Sequence, residues 1–444
     1  MTEPLVENYA RRLLGETKKS VHNASAAKVT GRINTLGQIF DNPDDARLRA
    51  SEIKQQVIDY LPEHLEQFES NATRNGIKIH WAVDGPSACS QITEIIRANA
   101  RPGAIVAKAK SMATEEIHLN KALEKAGFKP VETDLGEFIV QIDDDMPSHI
   151  VTPIIHKNRR QIAESFRREG IGGKSDDPAT LTMEAREHLR SQFQQAEIGI
   201  SGVNFALADN GVIVLVENEG NNRFSTTAPR VHIAVMGIEK LLPSASDLPL
   251  FLKLLAGSAT GQKLTTYVHM IAGPKTDEVD GPEEVHIVLL DNGRSSILNG
   301  PYREILKCIR CGACLNVCPV YRQASGHAYR HVYPGPVGAV LAPALEGVED
   351  YGDLPKASTL CGSCEEVCPV IIPIPDMLVR LRSETKSSID FSGYKLGANN
   401  PMLWKAGLKL LPMAKAVAPS GWTNTRSVPE QSKVNFRRWW RERS

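Results

Sequence analysis

The stretch CIRCGACLNVCPV, from Cys308 to Val320, decides how the C-terminal part of this chain folds. It contains four cysteines at the spacing C-x2-C-x2-C-x3-C and then a proline, at Cys308, Cys311, Cys314, Cys318 and Pro319. Three thiolates two residues apart can wrap a loop around one face of an iron–sulfur cubane, and Gly312 lets the backbone approach it. The proline turns the fourth cysteine away from that loop. In two-cluster ferredoxins this fourth cysteine binds the other cluster.

A second run, ASTLCGSCEEVCPV from Ala357 to Val370, repeats the pattern with one difference. Ser358 stands where a full run has its first cysteine. If the last cysteine of each run binds the other cluster, one site has four thiolates and the other has three. The predicted ligands of the first cluster are Cys308, Cys311, Cys314 and Cys368. Those of the second cluster are Cys318, Cys361 and Cys364.

The fourth position of the second cluster is open to several interpretations. The oxygen of Ser358 binds the fourth iron, the corner is left to solvent, or the cluster is [3Fe–4S]. Cys89, His327 and His331 are further candidates, although a buried free cysteine and packing histidines explain these residues more simply. The predicted cofactors are therefore one [4Fe–4S] cluster and a second that is [4Fe–4S] or [3Fe–4S].

The distribution of the cysteines argues against disulfides and against zinc. Seven of the eight lie between Cys308 and Cys368, whereas a disulfide framework is typical of small secreted domains. Structural zinc favours closed tetrahedra of paired ligands, which fit these two runs poorly. The start of the chain shows no apolar leader, so we expect a reducing, cytoplasmic location. The long, helical gap between Cys318 and Cys361 favours a helical dicluster domain.

Composition limits the class of partner. Lys plus Arg equals Asp plus Glu at 52 each, which lacks the basic excess of a nucleic-acid-binding protein. No run reaches eighteen apolar residues, so no transmembrane span is predicted. The ending FRRWWRERS mixes arginines with Trp439 and Trp440, which is typical of docking on a partner or of lying on a membrane surface.

Hydrophobic periodicity predicts the organisation of the remaining chain. Residues 1–69 read as an N-terminal helical arm, with apolar positions recurring every three or four residues. From Ile77 strands alternate with helices, which predicts an α/β domain with a mainly parallel sheet over residues 70–300. Residues 301–389 are the predicted helical ferredoxin-like domain, and residues 390–444 a separate basic tail.

One strand end offers a second candidate site. The strand GVIVLVEN runs into an asparagine-rich loop, at the kind of strand end where open α/β sheets bind ligands. Arg223 and Arg230 are candidates to clamp a carboxylate, and Glu217 or Glu219 to act as a base. The alternative is a hairpin with solvated charges. No G-x-G-x-x-G follows a strand, so neither a flavin nor an NAD motif is seen.

The chain resembles the lactate utilisation protein B family over nearly its whole length. The stretches that carry the resemblance include KAKSMATEEIHLN, RVHIAVMGIEKL, GPEEVHIVLLDNGRS and REILKCIRCGACLNVCPVYR. The resemblance implies a LUD-type α/β domain, akin to glucosamine-phosphate isomerase, ribose-phosphate isomerase and CoA transferases. It also implies a helical ferredoxin domain and a family-specific tail. The family's cluster ligands match the seven cysteines named above.

The resemblance also implies a function. It points to oxidation of L-lactate to pyruvate by three subunits encoded together, in which this subunit carries electrons to an acceptor that the sequence does not identify. Two alternatives remain. In the first, this chain is itself catalytic, binding a hydroxy acid at an open cluster iron or in the LUD domain. In the second, it is a redox-sensing or scaffold iron–sulfur protein.

Overall fold

A computed structural model of the chain describes residues 5–13, 15–385, 392–407, 434 and 436–443. The described residues up to Thr385 form one compact unit, and those from Ser392 onward form a second. The first unit contains the N-terminal helices, the α/β region and the cysteine loops.

Four helices begin the first unit, as the sequence periodicity predicts: α1 (Leu5–Arg12), α2 (Gly15–Ile39), α3 (Pro43–Asp59) and α4 (Leu61–Arg74). Asn42 caps α3, because its side chain accepts hydrogen bonds from the N–H groups of Asp44 and Asp45, and Pro43 occupies the first turn. Val21 and Leu36 on α2 are buried in the same hydrophobic core as the cysteine loops. The helices therefore pack onto the rest of the unit.

A six-stranded, fully parallel sheet lies at the centre of the α/β region, in the order β1-β10-β7-β4-β2-β3. Its strands are β1 (Lys78–Ala82), β2 (Ile105–Lys108), β3 (Lys129–Glu132), β4 (Ala196–Gly202), β7 (Val231–Gly237) and β10 (Glu284–Leu290). The helices that connect its strands are α5 (Gly85–Asn99), α6 (Met112–Glu116), α7 (Leu119–Lys125), α8 (Leu135–Ile142), α9 (Arg159–Arg168) and α10 (Pro178–Gln195). The predicted α/β fold with a mainly parallel sheet is confirmed.

Both faces of this sheet are buried, which explains its nearly continuous apolar strands. On β7, Ile233 and Val235 belong to one core, while Ala234 and Met236 belong to the core on the opposite face. Because successive side chains of a strand point to opposite faces, a single strand supplies both cores.

A second sheet of four strands accompanies the first, in the order β8-β5-β6-β9. Its strands are β5 (Phe205–Leu207), β6 (Val212–Glu217), β8 (Leu241–Leu242) and β9 (Tyr267–Ile271). It is antiparallel at β5–β6 and β6–β9. Helices α11 (Asn221–Thr227) and α12 (Leu248–Ala259) follow β6 and β8 respectively. The sequence does not separate the two sheets, since strand pairing depends on contacts distant in the chain.

The cysteine loops lie in a helical region, and no strand follows β10 among the described residues. Its helices are α13 (Arg294–Leu298), α14 (Ala313–Val317), α15 (Pro319–Ala324), α16 (Gly335–Glu346), α17 (Val348–Tyr351), α18 (Ser363–Glu366) and α19 (Ile374–Glu384). The predicted helical dicluster fold is thereby confirmed.

The second unit contains α20 (Ser392–Ala398) and a terminal helix, Phe436–Arg441. In the terminal helix the ring of Phe436 stacks on Trp439 at 5.8 Å, and the guanidinium of Arg443 lies 4.7 Å from the centre of the Trp439 ring. Docking of this segment on a partner or a membrane surface stays a prediction. No helix in the described part of the chain is both long and apolar enough to span a membrane.

Candidate functional site

The first cysteine loop leads from a 3-10 turn, Arg303–Lys307, into α14. Arg310 and Gly312, on either side of Cys311, have φ angles of 60° and 73°. The N–H of Arg310 approaches Cys308 Sγ at 3.4 Å. Two left-handed residues around one cysteine fold the chain into a tight arc, and backbone N–H groups then point at the sulfurs.

The second loop has the same backbone. Leu360 and Gly362, on either side of Cys361, have φ angles of 53° and 86°. The N–H of Leu360 donates to Ser358 Oγ at 3.1 Å, which matches the contact of Arg310 with Cys308 in the first loop. The Ser358 hydroxyl therefore occupies the place in its loop that a thiol occupies in the other.

The fold gathers the seven cysteines of the two runs into two groups. One small cavity is lined by four of them, Cys308, Cys311, Cys314 and Cys368. The other three neighbour one another: burial and then the nearby Cys318 thiol raise the pKa of Cys364 to about 12, while burial and the Cys361 thiol raise the pKa of Cys318. The last cysteine of each run thus lies with the opposite loop.

The donor chemistry of these groups fits iron–sulfur clusters. Cysteine sulfur is a soft ligand that suits iron–sulfur clusters, and backbone N–H groups stabilise the thiolate form. The N–H of Tyr321 approaches Cys318 Sγ at 3.5 Å. The N–H of Ser363 is the largest influence that lowers the pKa of Cys361. At Cys318 this N–H contact counters part of the effect of burial, which favours the neutral thiol.

The two groups differ in exposure. Cys311 and Cys368 are buried, whereas Cys361 is exposed to solvent. The N-terminal helices cover the loops, because Arg47 Nε donates to Cys368 O at 3.0 Å and Arg32 Nη2 donates to Val367 O at 3.0 Å. Cys308 and Cys314 are half-buried, so no member of the first group is exposed, whereas the second group reaches the surface at Cys361.

The remaining candidate ligands have other partners. The Cys89 thiol donates to Ile117 O at 3.3 Å and packs against a core of the α/β region. His327 Nε2 donates to Met146 O at 2.6 Å. His331 is bonded at both ring nitrogens, since Nε2 donates to a Glu346 carboxylate oxygen and Nδ1 accepts from the N–H of Tyr333. Their own hydrogen bonds account for these three side chains.

A cavity of about 300 Å³ lies at the carboxyl ends of the parallel strands β2, β3, β4 and β7. This is the edge at which open α/β sheets bind ligands. Lys110 and Ser111 follow β2, Asp134 follows β3 and Asn204 follows β4. Glu217, Glu219 and Arg310 also line the cavity. The cavity therefore touches both the second candidate site of the sequence and the first cysteine loop.

Glu217 caps a helix. Its carboxylate accepts hydrogen bonds from the N–H groups of Asn222 and Arg223 at 2.7 and 3.0 Å, and from His269 Nε2 at 2.6 Å. The alternative interpretation of this stretch, a hairpin with solvated charges, is wrong, because α11 follows β6 and the next strand belongs to the other sheet. Because its carboxylate accepts three hydrogen bonds, Glu217 fixes the start of α11 and its contact with His269.

Glu219 differs from Glu217 in its surroundings. It accepts a hydrogen bond from the N–H of Leu135 at 3.2 Å, at the mouth of the cavity. Withdrawal from bulk water, and next the neighbouring carboxylate of Asp134, raise the pKa of Glu219 to about 7. A carboxyl group with a pKa near 7 can exchange a proton near neutral pH.

The two predicted clamp arginines lie outside the cavity wall. Arg223 is exposed on α11. Arg230 precedes β7, at the amino end of that strand, where it donates to Asn99 Oδ1 at 2.9 Å and pairs with Glu283 at 3.5 Å. The cations that do line the cavity are Lys110, Lys240 and Arg310.

Arg310 belongs to a buried ion network that the sequence patterns do not reveal. Its Nη2 donates to Glu239 Oε1 at 3.2 Å, and its guanidinium lies 4.8 Å from the centre of the Tyr333 ring. Arg294 binds Glu239 at 2.7 Å and Glu116 with two hydrogen bonds of 2.8 Å. The network joins the first cysteine loop to the α/β region. In the sequence, the one feature that pointed to a role for Arg310 was its position between two cysteines.

His149 is a second side chain that sequence reasoning missed. Its Nδ1 accepts from the N–H groups of Val151 and Thr152 at 2.9 and 3.1 Å, while Nε2 donates to Asn316 Oδ1 at 3.2 Å. Burial lowers the pKa of His149 to about 3, so the ring is neutral. It holds residues 150–152 between the cavity and the first cysteine loop.

The comparisons with known proteins agree with this architecture. Residues 65–290 match the LUD domain, and residues 304–372 match the 4Fe-4S dicluster domain. Residues 381–444 match the family described as lactate utilisation protein B, C-terminal. Together with the two cysteine loops, these matches define the chain as a LUD-domain iron–sulfur protein.

The relatives identify the family within that class. A protein named Lactate utilization protein B from Shouchella clausii is 45% identical over 424 residues, covering 90% of this chain and 89% of the relative. One of the same name from Bacillus subtilis (strain 168) is 40% identical over 465 residues, covering 100% and 97%. The chain belongs to the lactate utilisation protein B family, and the resemblance drawn from its sequence is confirmed.

Among solved structures, the chain matches a DUF162 family protein from Deinococcus radiodurans. The two are 11% identical, with a TM-score of 0.30, and the match covers 52% of this chain and 98% of the other. At that score the likeness carries no argument about fold.

Proposed function

We propose that this chain is the electron-transfer subunit of a complex that oxidises L-lactate to pyruvate. The substrate is inferred from the names of the relatives, and the redox role is inferred from the match to the 4Fe-4S dicluster domain. The observation that carries the proposal is the pair of cysteine loops, one enclosed beside the cavity and the other reaching the surface at Cys361. When bound, iron–sulfur clusters accept and donate single electrons.

The proposed ligand sets follow the spatial grouping of the cysteines. Cys308, Cys311, Cys314 and Cys368 hold one [4Fe–4S] cluster. Cys318, Cys361 and Cys364 hold the second, with the Ser358 hydroxyl at its fourth position. If the serine oxygen binds iron, that second cluster is [4Fe–4S]; if it does not, the cluster is [4Fe–4S] with a solvent-bound corner or [3Fe–4S]. The matching backbone contacts of Ser358 and Cys308 support the former.

Other residues of the chain position the two sets of cysteine ligands. The arginines of α2 and α3 fix the loop carbonyls, and the network around Arg294 fixes the back of the first loop. Cys314 and Cys364 influence each other electrostatically, and their helices α14 and α18 pack together. The two sets are therefore neighbours within one core. The exposed Cys361 places the second set where a partner subunit can approach it.

A second candidate function is that this chain itself binds the hydroxy acid. It is favoured by one observation: the cavity at the strand ends and the first cysteine group share Arg310 and Ile150 in their walls. A substrate in that cavity would lie next to the four-cysteine set. In this function Glu219 is the base that exchanges the proton.

Anaerobic reconstitution tests the proposed function. Iron and acid-labile sulfide are counted per chain, and the visible absorbance of the clusters is followed after adding L-lactate. Electron transfer predicts that the isolated chain keeps its absorbance and that bleaching begins when the two other subunits are added. Bleaching of the isolated chain supports the second candidate. Bleaching under neither condition, with both clusters present, contradicts both. Cys89→Ser is the control for loss of a cysteine outside the two runs. Because the Cys89 thiol lies in the α/β core, the iron and sulfide content of this variant should match that of the wild type.

A further inference from the structure

The cavity beside the first cysteine loop carries buried positive charge at its inner end. Arg310 is only 7% exposed, and both its Nε and its Nη1 lack a hydrogen-bond partner. Buried guanidinium N–H groups without acceptors cost free energy, so such groups generally face a ligand. Lys240 lines the same end of the cavity.

The acceptors around Arg310 are already engaged. Its third nitrogen, Nη2, shares Glu239 with Arg294, whose Nε binds the other oxygen of that carboxylate at 2.7 Å. Lys54 Nζ donates to the backbone oxygens of Glu239 and Leu241, at 2.6 and 3.1 Å, and burial lowers the pKa of Lys54 to about 7. Glu116 and Glu239 pair with the two arginines, so neither carboxylate is left to bind the free nitrogens of Arg310. An anion in the cavity would supply that acceptor.

The remainder of the wall suits a small organic acid better than an inorganic anion. Its apolar part includes Val203, Met236 and Ala256. Its polar part includes Asn204 and Asn221, whose side-chain amides can bond a hydroxyl or a keto oxygen. The side chains of Asp134, Glu217 and Glu219 line it as well. A volume of about 300 Å³ is at the small end of the range for ligand cavities.

We propose that this cavity binds a 2-hydroxy or 2-oxo monocarboxylate, with its carboxylate accepting a hydrogen bond from the free Nη1 of Arg310 and lying beside Lys240. The class of acid in this proposal rests on the proposed function. The proposal does not depend on whether lactate is oxidised in this chain or in a partner subunit. Because Arg310 also lines the cavity of Cys308, Cys311, Cys314 and Cys368, the bound anion and that cluster share one guanidinium. The anion offsets part of the charge of Arg310, which makes the cluster harder to reduce. By reciprocity, reduction of the cluster weakens binding of the anion.

The test uses the full reconstituted chain without partner subunits. L-lactate, pyruvate and inorganic phosphate are titrated separately by calorimetry, and the potential of the four-cysteine cluster is measured with and without pyruvate. Binding of the two carboxylates, with a lower cluster potential in pyruvate, is the expected result. Phosphate that binds as tightly as pyruvate, or no binding of either carboxylate, overturns the proposal.

Three variants locate the site. Arg310→Gln should weaken pyruvate binding by roughly tenfold to a hundredfold, since it removes a charged hydrogen bond. Ala256→Leu fills the cavity from α12 without touching the cysteine loop, and it should abolish binding while the iron content stays unchanged. The control is Arg186→Gln, which removes an exposed arginine of α10 and should bind as the wild type does.

The outcomes separate this proposal from the proposed function. If Arg310→Gln loses its cluster, Ala256→Leu decides alone. Undiminished pyruvate binding by a fully loaded Ala256→Leu chain overturns the site. A wild-type chain that accepts electrons from its partners but binds no carboxylate also overturns the site, and leaves the electron-transfer function standing. A chain that binds pyruvate but holds no clusters contradicts the function and leaves the site standing.

Discussion

The two cysteine loops share a backbone and differ in what surrounds it. Each has a left-handed residue on both sides of one cysteine, and in each an N–H approaches the side chain at the loop's first ligand position. The first loop is enclosed and carries Cys308 at that position. The second reaches solvent at Cys361 and carries Ser358. The same local fold thus serves one buried site and one site near the surface.

The difference extends to the groups that support each loop. Behind the first loop lies the ion network of Arg294 and Arg310, which is shared with the α/β region. Behind the second, Arg382 donates to the backbone oxygens of Pro355 and Ser358, both at 2.8 Å. Buried ion pairs are costly to break, while hydrogen bonds near the surface contribute modestly. The first loop should therefore tolerate substitution less well than the second.

The largest expected effect comes from exchanging the cysteines that cross between the loops. Cys368→Ser should remove the cluster held by Cys308, Cys311 and Cys314, although it lies in the second run. Cys318→Ser should remove the cluster held by Cys361 and Cys364. Iron analysis should show the loss of about one cluster in each variant, and EPR should show which signal disappears. Loss of the Cys361 signal in Cys368→Ser would refute the crossed ligand sets.

The next effect compares the two supporting arginines. Arg294→Met leaves Glu116 and Glu239 buried without their main partner, and should lower the free energy of unfolding by about 3–5 kcal/mol. Arg382→Met should cost about 1 kcal/mol, because it removes hydrogen bonds to two backbone oxygens. Urea unfolding under anaerobic conditions measures both. Equal losses would show that the two loops are supported alike.

Ser358→Cys removes the chemical difference between the loops. A thiolate at this position should complete a four-thiolate [4Fe–4S] site, and its added negative charge should lower the potential of the second cluster. An EPR-monitored redox titration provides the comparison, with Ser383→Cys, at an exposed serine of α19, as a control for an added thiol away from the loop. A spectrum and potential identical to those of the wild type would show that Ser358 does not face the cluster.

The smallest effect concerns Glu219, whose pKa is raised to about 7 from an ordinary value of 4.5. The folded chain disfavours its charged form, so the associated stability is present below pH 4.5 and is lost as the pH rises to about 7. Glu219→Gln should match the wild type near pH 4.5. At pH 8 it should be more stable by about 1 kcal/mol, a value discounted for its partial exposure. Thermal unfolding at both pH values checks the sign, and a variant less stable than wild type at pH 8 contradicts it.

The strands and the cysteine grouping could be predicted because their signals are local. Apolar runs such as Val231–Gly237 and the spacing of the two cysteine runs lie within a few residues of each other. The division into two sheets could not be predicted, since β8 has only two residues and pairs with β5 more than thirty residues earlier.

The same limit explains why the candidate site residues of the sequence do not all lie together in the structure. A glutamate at a strand end looks identical in sequence whether its carboxylate is solvated or caps a helix, as Glu217 does. Arg223 and Arg230 lie close to Glu217 in sequence, but α11 and the change of sheet direct them away from the cavity. Arg310, about ninety residues further along the chain, reaches it instead.

The EPR spectrum of the fully reduced wild-type chain tests the central claim most directly. The account places two clusters in neighbouring sites, because α14 and α18 pack together and carry Cys314 and Cys364. It predicts signals that are split or broadened by interaction between two paramagnetic centres, and simple signals in Cys368→Ser and Cys318→Ser. A wild-type spectrum from a single centre, or from two centres without interaction, would contradict it.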